Sequence, residues 1–104
     1  MKKFINCTPH DVVLNNGTVY KASGIIARCV AKYSQFDTDG IASVSYGEVT
    51  NLPEPSEGVL YIVSALVLDA MKGIRTDLVA PATGHHAAIR DKGNPVSVPG
   101  FVRL

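Results

Sequence analysis

The stretch 58-GVLYIVS-64 decides how this chain folds. Val59 to Val63 offers no polar position at either a two-residue or a helical period. An unbroken apolar run of this length, rich in β-branched residues, predicts a central strand buried on both faces. Ser64 then supplies a helix cap, and the spacing predicts a helix to about Lys72. Leu66, Val67, Ala70 and Met71 form its buried face and Gly73 ends it. The whole apolar segment, Val59 to Leu68, is interrupted by Ser64 and falls short of the roughly 20 residues of a membrane span.

Upstream, 51-NLPEPSEG-58 reads as a loop, since prolines at 53 and 55 deny a sheet two donors. The amino-terminal half carries strand signals. Lys2 to Asn6 reads as a first strand, and 12-VVLNNGTVYK-21 as a hairpin around Asn16-Gly17, the preferred pair for a type I′ turn. Strands follow in 25-IIARCVAKY-33 and 41-IASVSYGEV-49, separated by the turn Asp37–Gly40. Downstream, 76-TDLVAPATG-84 reads as an extended or looped segment stopped by Pro81. A second hairpin is expected around Asp91-Lys92-Gly93-Asn94. The expectation is a single α+β domain over residues 1–104, mainly antiparallel sheet with hairpins and one helix.

The chain has 104 residues, 46% hydrophobic and 18% charged, which suits one globular domain with one core. A net charge of +1 with scattered Lys and Arg argues against a polymeric nucleic-acid partner, although a small anion needs only two or three cations. The amino terminus lacks the apolar region of a signal peptide. Cys7 and Cys29 have no metal spacing and read as buried thiols of a reducing compartment, so the cytoplasm is the expected location.

Several polar groups are candidates for a site. Thr8-Pro9-His10-Asp11 has the form of a capping box with proline at the first helical position. That accounts for Thr8 and Asp11 but leaves Asn6 and His10 without a task. Arg75 and Asp77 read either as a surface ion pair or as a planar fork for phosphate beside an acceptor for ribose hydroxyls. Arg28 and Arg90 belong to predicted strands, where charges normally form the solvated face. His85-His86 suits a solvated loop better than a metal site, because neighbouring side chains diverge. No nucleophile elbow, phosphate loop or zinc-protease motif occurs, so neither catalysis, cofactor nor metal is expected.

Taken together, these elements resemble a family of small proteins widespread in phages and prophages. The resemblance rests on Asn6-x-Thr8-Pro9-His10, Leu52-Pro53-Glu54-Pro55 and Tyr61-Ile62-Val63-Ser64-x-Leu66-Val67. Arg75-x-Asp77-Leu78 with Pro81, Arg90-Asp91 and Gly100-Phe101 complete it. Lys21-Ala22-Ser23-Gly24 departs from the family's proline-proline-serine-glycine turn. The resemblance implies a phage origin and action by binding in the host cytoplasm. One such class is the anti-defence sponge, which sequesters a nucleotide signal of bacterial immunity, commonly as a homo-oligomer. The expected ligand set is Asn6, Thr8, His10, Arg28, Arg75, Asp77 and Arg90, gathered in one pocket at a sheet edge. The alternatives are an inhibitor of a host protein and a minor virion component.

Overall fold

The run at 58–64 forms β6 (Val59–Ile62), the second strand of a four-stranded sheet, in a computed structural model that describes residues 2–104. Its neighbours are β1 (Lys3–Asn6) and β7 (Leu78–Pro81), and β10 (Phe101–Val102) closes the far side. Both faces of β6 are covered. On one face Tyr61 and Val63 meet Val67, Leu68, Leu78 and Ala80 with Cys7 and Ala27. On the other, Leu60 and Ile62 meet Val79, Val12 and Val98. Phe4, Tyr20 and Phe101 flank that second cluster as a mutually packed trio, with ring centroids 5.1–5.5 Å apart.

The α+β class holds, with the helix a minor component. The expected dominance of antiparallel pairing holds for the hairpins and fails for the sheet that carries the core. β1 pairs β6 in parallel, β6 pairs β7 in parallel, and only β10 runs antiparallel, against β7. The physical reason lies in the run itself. A strand with no polar face suits the interior of a parallel sheet covered on both sides, and the segment 63–77 is long enough to cross over. The segment 76–84, expected to be extended or looped, is extended over 78–81 as a core strand, and Pro81 stands at its last position, where a missing donor matters least.

The helix α1 (Ala65–Ala70) starts as expected, with the Ser64 side chain accepting from the Val67 amide at 3.3 Å. It is shorter than expected and rotated by about one position. Val67 and Leu68 are buried, whereas Leu66 is 38% exposed. Residues 71–74 are turn, with Gly73 at φ 78°.

Both hairpins form, but the type I′ turn expected at Asn16-Gly17 is not the one found there. Around Asn16-Gly17, β2 (Val12–Val13) pairs β3 (Val19–Tyr20) through a three-residue loop. The Gly17 amide donates to the Leu14 carbonyl and Leu14 to Thr18, with Gly17 alone at positive φ. That is a type I turn closed by a glycine bulge, and not type I′. The I′ geometry appears between β8 (Ile89–Asp91) and β9 (Asn94–Ser97), where Lys92 and Gly93 have φ of 52° and 84°. β4 (Arg28–Tyr33) and β5 (Val44–Thr50) form a separate two-stranded ribbon whose base packs on α1. No helix among the described residues is long and apolar enough to cross a membrane.

Candidate functional site

Asn6 ends β1 and is 2% exposed, so every polar atom of its side chain needs a partner. It finds them all locally. Nδ2 donates to the carbonyls of His10 at 2.8 Å and Tyr20 at 2.9 Å, and Oδ1 accepts from the Thr8 amide at 3.0 Å. The Thr8 hydroxyl lies 2.7 Å from Asn6 Oδ1 and 2.9 Å from the His10 carbonyl, so its proton has two acceptors within reach. The expected capping box is therefore absent. No helix follows Thr8, and the Asp11 carboxylate accepts from the Ala22 amide at 2.8 Å instead. A buried amide that binds both ends of the loop outcompetes a one-turn cap. Residues 8–11 are thus curled over the end of β1 by a side chain beneath them.

That loop forms one wall of a cleft of about 420 Å³ beyond the carboxyl ends of β1 and β6. Thr8, Pro9, His10 and Asp11 line one side. Ser64 and Ala65 contribute from the start of α1, Pro81 from the end of β7 and Thr83 from just beyond it. The β9 residues Pro95, Val96 and Ser97 close the far wall. The lining is mostly apolar with a few polar tips, the usual character of a small-molecule site. Its position outside the carboxyl ends of parallel strands is also where open α/β sheets hold ligands. The His10 ring and the Thr83 hydroxyl make no hydrogen bond within the described residues and are available to a ligand. Arg90 lies outside the lining and donates to the carbonyls of Thr83 and Gly93. Cys7 lies below the loop, and burial pushes its thiol up and away from the reactive thiolate.

The remaining expected residues lie elsewhere. Asp77 directly precedes β7 whereas Thr8 and His10 follow β1, and the parallel pairing through β6 puts them at opposite ends of the sheet. The expected meeting of Asn6 and His10 with Arg75 and Asp77 does not occur. Arg75 is already engaged: Nε and Nη2 meet the two Asp77 oxygens at 2.7 and 2.8 Å, and Nη2 also reaches the Pro53 carbonyl at 3.0 Å. The guanidinium stands 5.9 Å from the Tyr61 ring centroid, and the Tyr61 hydroxyl donates to the Glu54 carbonyl at 2.9 Å. These contacts fasten the proline loop to the core. The hydrogen bond from Arg75 holds the Asp77 carboxyl below the ordinary carboxylate range. Arg28 lies exposed on β4, on the solvated face.

Of the seven expected residues, Thr8 and His10 line the cleft and Asn6 supports them, while Arg90 does not line it and touches it only through the carbonyl of Thr83, a lining residue. Asp11, Ser64, Thr83 and the β9 wall were not expected there. Ser64 signalled only a cap and Asp11 only a capping box, while Pro95-Val96 signalled only a strand. Their convergence comes from the crossover and the second hairpin, which have no local motif. Neither a family model, nor a curated protein, nor a solved structure matches the chain.

Proposed function

We propose that this protein binds and holds a nucleotide-type small molecule in the cleft without turning it over. The observation that carries the reading is the cleft itself, about 420 Å³ with apolar walls and a few convergent polar groups. Pro9, Pro95 and Val96 give the cleft apolar surface on which the flat ring of a base could pack. Thr83 offers a partner for a sugar hydroxyl or a base edge, and the Asp11 oxygen that the Ala22 amide does not take, 3.9 Å from Lys21 Nζ, offers a second. His10 meets a phosphate best in its cationic form. The lining holds neither a nucleophile beside a base nor a pair of carboxylates, which favours retention over chemistry. The resemblance to small phage proteins supports the narrower step, that the ligand is a signal of bacterial immunity and the protein a sponge for it.

The test is to heat-denature protein purified from cells that contain such a signalling system and to identify released nucleotides by mass spectrometry. The nucleotide found is then titrated calorimetrically. His10→Ala and Thr83→Val should each bind about tenfold more weakly, with Arg75→Ala unchanged. Release of no nucleotide, or equal affinity in all three variants, would remove this reading.

A further inference from the structure

The β4–β5 ribbon carries an apolar row that its own chain does not cover. Cross-strand partners share a face, so Cys29 with Val49, Ala31 with Tyr46 and Tyr33 with Val44 form one row. At the base, Cys29 and Val49 pack on the core cluster beneath α1. Further out the same row runs beyond the core, and Tyr46, Val44 and Tyr33 are 44%, 50% and 69% exposed. At the tip Phe36 is 70% and Ile41 65% exposed. A register shift between Cys29 and Ala31 lies between the covered part and the bare part. The radius of gyration, 15.4 Å, exceeds the roughly 13 Å of a compact domain of this length, as a projecting arm requires.

We propose that a second copy of this chain covers the arm, in a two-fold dimer with the two aromatic rows face to face. Three observations select a second copy over a foreign partner. The outer row, half-buried Ala31 with exposed Tyr33, Val44 and Tyr46, contains no charge, so a two-fold axis can set it against itself without like-charge repulsion. Each tyrosine hydroxyl both donates and accepts, so it can pair with its own copy. The area also fits. With about 200 Å² per aromatic side chain, Tyr33, Phe36 and Tyr46 leave roughly 370 Å² bare at 69%, 70% and 44% exposure. Val44, Ile41 and the ribbon backbone extend this toward the roughly 800 Å² that each partner gives to a standard interface. A two-stranded ribbon is marginal alone in water, and pairing would give the arm the cover it lacks.

Sedimentation equilibrium of the full chain, with Tyr33→Lys and Tyr33→Glu variants, tests the arrangement. Wild type should sediment at twice the chain mass of 11.1 kDa. Each variant should self-associate at least about 30-fold more weakly, with the wild-type circular dichroism retained because Tyr33 is exposed. Mixing the two variants should restore a dimer, since opposite charges then face each other. A wild-type monomer at all concentrations would overturn the proposal, as would variants that dimerise like wild type or fail to pair on mixing. A monomer that holds a different protein through Tyr33 would equally overturn it.

Discussion

The two ends of the central sheet handle polar side chains in opposite ways. At the amino end of β7, Arg75, Asp77, the Pro53 carbonyl and Tyr61 satisfy one another and the loop is fastened shut. At the carboxyl ends of β1 and β6, Asn6 is saturated from below while His10 and Thr83 are left facing an open cleft. Both ends contain residue types that could bind a ligand. The difference is whether the chain itself has already taken the bonds. A charged fork that holds its own carboxylate is a fastening, and a polar tip without a partner above an apolar wall is an offer.

The largest effect expected from this contrast is at Asn6. Asn6→Ala removes the donors to His10 and Tyr20 and the acceptor for Thr8, and should cost about 3–5 kcal/mol in urea unfolding. Asn6→Asp should also be strongly destabilising, because a carboxylate cannot donate to two carbonyls. A loss under about 1 kcal/mol in either variant would mean that the loop stands without its buried amide.

Next comes the fastening. Arg75→Ala should cost about 2–3 kcal/mol, since it leaves a half-buried carboxylate unpaired. The pair also sets an acid limb. The folded Asp77 carboxyl titrates below its ordinary range, so its contribution is complete above the unfolded-state value, about 4, and is lost as pH falls through the folded one. Asp77→Asn should flatten that limb in unfolding free energies measured from neutral to acid pH. An unchanged profile would show that the pair is not what couples stability to protons.

Smaller effects belong to the open end. His10→Ala should leave stability within about 0.5 kcal/mol of wild type, as expected for an exposed side chain without a partner. A loss comparable with that of Asn6→Ala would make His10 part of the fastening. Comparably small, and opposite in sign, is the effect of Lys92→Asn, in the turn before β9. Lys92 occupies positive φ, which asparagine adopts more readily, so the melting temperature should rise slightly, by the equivalent of about 0.5 kcal/mol. No rise would indicate that the turn is held by its strands and not by its own residues.

Much of the secondary structure was legible because its causes are local. Val59–Val63 has no polar face, Ser64 can cap a helix begun at Ala65, and glycine at 17 and at 93 permits positive φ. Those features place a buried strand, a helix start and two hairpins wherever the rest of the chain lies. The turn types were less legible. Asn16-Gly17 adopts a three-residue bulged loop in place of type I′ because strand register, set across the hairpin, decides how many residues the loop must contain.

The site was legible in part, and the failures share one cause. Thr8 and His10 could be named because they stand together beside a proline at the end of a strand. Nothing local says that β1, β6 and β7 run parallel, and that direction sends Thr8 and Asp77 to opposite ends of the sheet. Nor does a local motif show that Asn6 is buried, so an amide that looked available to a ligand is consumed by His10, Thr8 and Tyr20. The sequence by itself determined where the chain must be strand, turn or cap, since those depend on neighbours within a few residues. Only the tertiary structure decided which polar groups meet each other and which meet solvent, because burial and strand direction are set by contacts between residues far apart in the chain.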